Sequence, residues 1–267
     1  MSRRYRIGVF DSGVGGLTVV QHLLPYAAGA EVLYVGDTAR VPYGGRSPET
    51  VRRYARELTL YLVEQDIELL IVACNTVSAV AVDVVRACAP DIPVIDVLEP
   101  TVELALQRTA GCVGVIGTRA TIGSGVYEEL LHRWSPVPIR TYGQPCPLFV
   151  PLVEEGWVDH PVTEQIAEHY LAPLRTAGVD TLILGCTHYP LLLPVLRHVL
   201  SRCCFVESGE AIVQHLKKLG HTPAFNGPTA QLHLQLTDTP GPALEHILQR
   251  LRLTSVQVQQ ICLREYV

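Results

Sequence analysis

Short apolar runs alternate with segments of helical periodicity along most of this chain, and that alternation constrains the fold more than any other feature. Residues 6–10, 31–35, 69–73, 93–96, 112–116, 181–184 and 203–206 each have the length of a buried strand. Between them, Val51, Tyr54, Ala55, Leu58 and Leu62 recur at helical spacing, with Ser47 as cap and Pro48 in the first turn. Leu191, Leu192, Val195, Leu196 and Val199 repeat the pattern, with Pro194 placed to kink that helix. This alternation predicts an α/β protein with parallel sheets. In such sheets ligands bind beyond the carboxyl ends of the strands.

An internal repeat sharpens the expectation. Leu69-Leu70-Ile71-Val72-Ala73-Cys74-Asn75-Thr76 matches Thr181-Leu182-Ile183-Leu184-Gly185-Cys186-Thr187-His188. Each is an apolar strand, a small residue, a cysteine and two hydrogen-bonding side chains. A weaker pair agrees: Ile7-Gly8-Val9-Phe10-Asp11-Ser12 and Val113-Gly114-Val115-Ile116-Gly117-Thr118. Gly8 and Gly114 are 106 positions apart, and Cys74 and Cys186 are 112 apart, as expected of two related halves that differ by a loop insertion. Nothing earlier recurs after Glu207. There, Glu207-Ser208-Gly209-Glu210 reads as a helix N-terminus, Gly227-Pro228 as a turn, 230–236 as an alternating strand and 242–251 as a helix. Pattern alone leaves open whether this tail is its own unit or completes the first half.

The 267 residues approach the upper size of one hydrophobic core, which favours two domains. Hydrophobic residues make up 48% and charged residues 18%, a globular balance. The 21 basic and 26 acidic side chains leave a net charge of −5, and the longest basic tract is Arg3-Arg4-Tyr5-Arg6. Nucleic-acid binding therefore has no electrostatic footprint. No apolar stretch approaches the roughly 18 residues of a membrane span. The apolar run at 7–10 is short and ends at Asp11, so no signal peptide is expected. A soluble cytoplasmic protein with reduced thiols follows as the expectation.

Of the eight cysteines, Cys74 and Cys186 stand apart, since each ends a strand and precedes a polar pair and a helix. Unpaired N–H groups and the positive helix end favour thiolate there. Cys88, Cys112, Cys146, Cys203, Cys204 and Cys262 read as small buried hydrophobes. Two equivalent thiols on facing halves could flank one nearly planar carbon, one removing a proton and the other returning one from the opposite face. A zinc site built from both thiols and His188 would need a fourth position and a closer cluster, and a single nucleophile with a spare cysteine is a further alternative. His188 could tune or relay the proton of Cys186. Asp11 falls at the same sheet edge as Cys74, either in the site or as a helix cap.

Asp11-Ser12-Gly13-Val14-Gly15-Gly16 is a glycine-rich turn between strand and helix. It fits neither the P-loop nor GxGxxG, but its N–H groups could meet an anion. Asn75-Thr76 and Thr187-His188 add donors in the same layer, and the loop carrying Tyr43-Gly44 could close over them. Such a donor-rich, sparsely cationic site suits a substrate with carboxylates.

At these residues the chain resembles the glutamate racemases of the aspartate/glutamate racemase superfamily. The likeness runs through Gly8-Val9-Phe10-Asp11-Ser12-Gly13-Val14-Gly15-Gly16-Leu17 and Gly36-Asp37-Thr38-Ala39-Arg40-Val41-Pro42-Tyr43-Gly44. It continues in Ala73-Cys74-Asn75-Thr76, in Gly114-Val115-Ile116-Gly117-Thr118 and in Cys146-Pro147-Leu148-Phe149-Val150-Pro151-Leu152-Val153-Glu154. It ends with Gly185-Cys186-Thr187-His188-Tyr189-Pro190-Leu191 and thins after about Gly209. The resemblance implies two parallel-sheet α/β domains related by pseudo-twofold symmetry, with the active site between them. The first would comprise 1–98 and 208–267 and carry Cys74; the second would comprise 99–207 and carry Cys186.

The resemblance further implies cofactor-independent interconversion of L- and D-glutamate, with D-glutamate feeding peptidoglycan synthesis and no metal. Cys74 and Cys186 are then the acid/base pair, one for each enantiomer, assisted by Asp11 and His188, with Glu154 on the His188 side. Asp11, Ser12, Tyr43, Gly44, Asn75, Thr76, Thr118, Thr187 and His188 would bind the substrate. The partner would be a small molecule, with no nucleic acid and no membrane, and the resemblance also allows a homodimer. Rival readings are a racemase for aspartate or a related acid, a non-catalytic binder of small acids, and a zinc protein.

Overall fold

A computed structural model of the protein describes residues 4–220, 229–253 and 256–263. Ten strands occur among them. They are β1 (Arg6–Asp11), β2 (Glu31–Gly36), β3 (Leu69–Val72), β4 (Val94–Asp96), β5 (Cys112–Gly117), β6 (Arg140–Pro145), β7 (Thr181–Gly185), β8 (Cys204–Val206), β9 (Gln231–Leu236) and β10 (Gln257–Gln260). Every pairing is parallel, as expected for strands buried under helices on both faces.

The strands form two sheets, ordered β10-β9-β2-β1-β3-β4 and β6-β5-β7-β8. The run β2-β1-β3-β4 and the whole second sheet share one topology, so β1 answers to β5 and β3 to β7. The internal repeat is therefore a repeat of architecture. The tail does not stand alone: β9 pairs with β2 and extends the first sheet.

Local sequence explains the elements. Ser47 accepts the N–H of Thr50 at 3.4 Å and caps the helix Pro48–Val63, whose inward face buries Val51, Ala55, Leu58 and Leu62. The expected kinked helix around Pro194 is instead a 3-10 turn, Tyr189–Leu192, followed by the helix Leu193–Val199. Proline lacks an N–H, and the first helical turn is where that N–H is not needed. The helices Ser208–Lys218 and Pro242–Leu251 begin where the pattern placed them. The Gly227-Pro228 turn lies outside the described residues, as does Arg3.

Two strands escape the apolar pattern. β6 and β10 are edge strands with polar, largely exposed sequences. Unlike the other two edge strands, β4 and β8, neither has a buried side chain, so they carry little apolar signal. Cys262, expected buried, is exposed, while Cys88, Cys203 and Cys204 are only partly buried.

One apolar cluster runs through both sheets. It joins Val9, Leu17 and Leu23 to Phe149, Leu184 and Leu192. The helix Leu17–Tyr26 packs on Ser208–Lys218, and Phe149–Glu154 packs on Pro242–Leu251. The chain crosses from one sheet to the other after β4 and returns after β8, which leaves the carboxyl ends of β1, β3, β5 and β7 around a common cleft.

Candidate active site

The cleft is narrow, with a cavity volume of about 20 Å³. Cys74 and Cys186 both line it, along with Ser12, Tyr43, Gly44, Asn75, Thr76, Thr118, Thr187 and His188. Cys74 is the N-cap residue of the helix Asn75–Cys88, just beyond β3. Cys186 sits at the matching place beyond β7, but a 3-10 turn follows it there, not the α-helix expected from the sequence.

Two expected residues stand behind the lining. Asp11 is fully buried at the end of β1, and its Oδ2 accepts the N–H of Gly16 at 3.0 Å and of Gly13 at 3.3 Å. The anion taken up by the glycine-rich turn is thus its own aspartate. Asp11 also accepts the Thr187 hydroxyl at 3.4 Å, a bond between the two halves. Glu154 stands behind His188, with Oε1 3.1 Å from Nε2. The other ring nitrogen, Nδ1, lies 4.0 Å from the Cys186 sulfur.

The two thiols have opposite electrostatic settings. Burial pushes the Cys74 thiol up to about 12, and the Asp11 carboxylate adds to the rise. The N–H of Val77 and the hydroxyl and N–H of Ser12 pull the other way by bonding to the thiolate. Burial also raises Asp11, against the pull of His188 and the turn N–H groups. Burial alone would lower His188, but Cys186 and Glu154 outweigh it and bring the imidazole up to about 10. Cys74 faces an acid; Cys186 faces a cation.

The remaining wall is made of donors. Tyr127 donates its hydroxyl to Asn75 Oδ1 at 2.6 Å, which leaves the buried Asn75 Nδ2 with no protein partner. A buried donor in this state calls for an acceptor in the cleft. The hydroxyls of Thr76, Thr118 and Thr121 form a triangle with sides of 2.9 to 3.3 Å, bridging the two halves. The Tyr43 hydroxyl gives its proton to Asp37, so toward a ligand it can only accept. No lysine or arginine lines the cleft among the described residues.

Sequence reasoning did not single out Tyr127 or Thr121, nor Val41, Pro42 and Val150 in the lining. Tyr127 sits in the helix Val126–Trp134, where an aromatic residue at helical spacing reads as core. The zinc reading finds no support in geometry: among the described residues no group of three or more His, Cys, Asp or Glu is placed to hold a metal ion.

Two like-placed thiols at equivalent strand ends line one donor-rich cleft, an arrangement that can serve proton transfer at a carbon atom. Comparison with known proteins agrees. Residues 7–216 match the family described as Asp/Glu/hydantoin racemase, and the chain belongs to that family. It is 46% identical to the glutamate racemase of Chlorobaculum tepidum over 244 residues, covering 91% of this chain and 86% of that one. It is 44% identical to the glutamate racemase of Persephonella marina over 262 residues, covering 96% and 98%. A crystal structure of glutamate racemase from Francisella tularensis in complex with D-glutamate superposes with a TM-score of 0.87 at 34% identity, covering 98% of this chain and 99% of that one.

Proposed function

We propose that this chain is a glutamate racemase that interconverts L- and D-glutamate by direct proton transfer between two thiols and the α-carbon. The observation that carries the reading is that Cys74 and Cys186, at equivalent strand ends of two like sheets, line one cleft.

In one direction the Cys74 thiolate takes the α-proton and the Cys186 thiol delivers its own proton to the opposite face. The reverse reaction exchanges the roles. Each turnover moves the single proton of the pair from one sulfur to the other, so the starting arrangement is restored when the opposite enantiomer reacts or the thiols exchange with solvent. Because burial and Asp11 hold Cys74 in its neutral form, the substrate's ammonium supplies the positive charge that favours its thiolate. His188, backed by Glu154, plays that part for Cys186. Asn75 Nδ2 and the threonine hydroxyls hold the carboxylates and stabilise the carbanion-like transition state. Ser12, Gly44 and Thr187 complete the binding surface.

The same reading divides the chain into a domain of 1–98 with 208–267 and a domain of 99–207, assembles it as a homodimer, and gives its D-glutamate to peptidoglycan synthesis in the cytoplasm. No helix among the described residues is long and apolar enough to cross a membrane.

The test is incubation with L-glutamate in D2O. Deuterium at the α-carbon together with D-glutamate is the expected result. Binding without exchange would make the protein a non-catalytic binder, and faster exchange with aspartate would transfer the reading to the rival substrate.

A further inference from the structure

A cluster outside the cleft bears on it. Asp37, just beyond β2, is fully buried. Thr237 donates its hydroxyl to Asp37 Oδ1 at 2.8 Å, and Arg40 donates Nε–H to Oδ2 at 2.6 Å. The Tyr43 hydroxyl donates to the same Oδ2. Arg40 turns its Nη1 to the buried carboxylate of Glu57, on the helix Pro48–Val63. Its Cζ lies 4.0 Å from the centroid of the Tyr54 ring, which in turn packs 5.2 Å from the Tyr43 ring. One guanidinium thus ties together the end of β2, the long helix and the ring of Tyr43.

That connection reaches the cleft through Tyr43 and Gly44. Gly44 presses on the opposite half so closely that a Cβ there would lie 2.5 Å from the Cβ of Thr118. The wall has no slack, so a small shift of Tyr43 changes the width of the cleft. Asp37, Arg40 and Glu57 do not line the cleft themselves. Two buried carboxylates without their cation would repel each other and seek water, which would draw the loop away from the cleft.

We infer that Arg40 is a positioning residue for substrate binding, whose planar fork between Asp37 and Glu57 holds the wall formed by Tyr43 and Gly44 against Thr118. Lysine keeps the charge but is a single point and cannot span both carboxylates.

The inference rests on the proposed racemase reading and is tested with Arg40→Lys and Glu57→Gln in the full chain. Arg40→Lys is expected to raise KM for both enantiomers about tenfold while kcat stays within about twofold, as for loss of binding common to ground and transition states. The dissociation constant for D-glutamate, measured by calorimetric titration, rises in parallel. Glu57→Gln keeps an oxygen acceptor and gives a smaller rise of the same kind; it also serves if Arg40→Lys folds poorly. Unchanged KM and dissociation constant in both variants, with activity lost only in proportion to the unfolded fraction seen by circular dichroism, would overturn the inference. A wild-type protein that neither binds nor racemises glutamate fails the racemase reading itself, whereas an active wild type beside unshifted variants fails the role of Arg40 alone.

Discussion

The carboxylate of Glu154 holds the Nε2 of His188 at 3.1 Å, on the side of the ring turned away from the Cys186 sulfur. The pair gives a buried imidazole a partner of each kind, and with them a proton that it keeps well above neutral pH.

The pH dependence of stability follows from that proton. His188 is brought up to about 10 in the fold, against an ordinary 6.5. Between those values the folded chain binds more protons than the unfolded one, so stability falls as pH rises. The His188 contribution is complete below about 6.5 and lost through about 10. Cys74, pushed up to about 12 from 9.0, extends the decline in the same direction at higher pH. Melting temperatures recorded from pH 6 to 11 should fall across this window, and Glu154→Gln should make the fall smaller and end it at lower pH. A flat profile in the wild type would contradict the charged pair.

Glu154→Gln should also slow turnover by about tenfold, because it removes the charge that sustains the His188 imidazolium beside Cys186. A pH–rate profile should lose part of its alkaline plateau. Unaltered kcat and an unaltered profile would leave Glu154 with a purely structural role.

Cys74→Ala and Cys186→Ala should each abolish racemisation. With one thiol left, only the enantiomer whose α-hydrogen points toward it can exchange, with its configuration kept. Proton NMR of separate L- and D-glutamate samples in D2O reads this directly, and the two variants should show opposite preferences. Racemisation persisting in either one would be incompatible with a pair of thiols.

Gly15→Ala should cripple the enzyme while changing no reacting group. A Cβ at Gly15 would lie 2.3 Å from His188 Nδ1 and 2.5 Å from Thr187 Oγ1. The imidazole must then leave its place beside Cys186. We expect a loss of about a hundredfold in kcat and of about 1–3 kcal/mol in stability, measured by steady-state kinetics and urea unfolding. Near-normal kcat would mean that His188 need not sit where it does.

Tyr127→Phe removes the hydroxyl that fixes Asn75 Oδ1 at 2.6 Å. The amide is then free to turn, and its Nδ2 no longer points to one place. KM should rise several-fold, with about 1–3 kcal/mol lost from stability for the acceptor left unpaired. Kinetics on both enantiomers would check it; an unchanged KM would detach Asn75 from substrate binding.

The amino-acid order by itself determined the parallel α/β class, most strand positions and the correspondence of Cys74 with Cys186. Buried parallel strands are continuous apolar runs, and a duplicated strand–cysteine–polar pair leaves a visible trace. It also carried the glycine-rich turn and Asn75, Thr76, Thr187 and His188, because these lie within a few residues of a strand end. Edge strands β6 and β10 left no such trace, since solvent rather than a core completes them. Only the tertiary structure decided that the two thiols share a cleft, that Asp11 satisfies its own turn and stands behind the lining, and that Tyr127 orients Asn75 from 52 positions away. It also decided that Arg40 joins Asp37 to Glu57 beneath Tyr43. These relations join residues far apart in the chain, and the free energy that fixes them comes from burial and pairing once the sheets have packed, which no local pattern encodes.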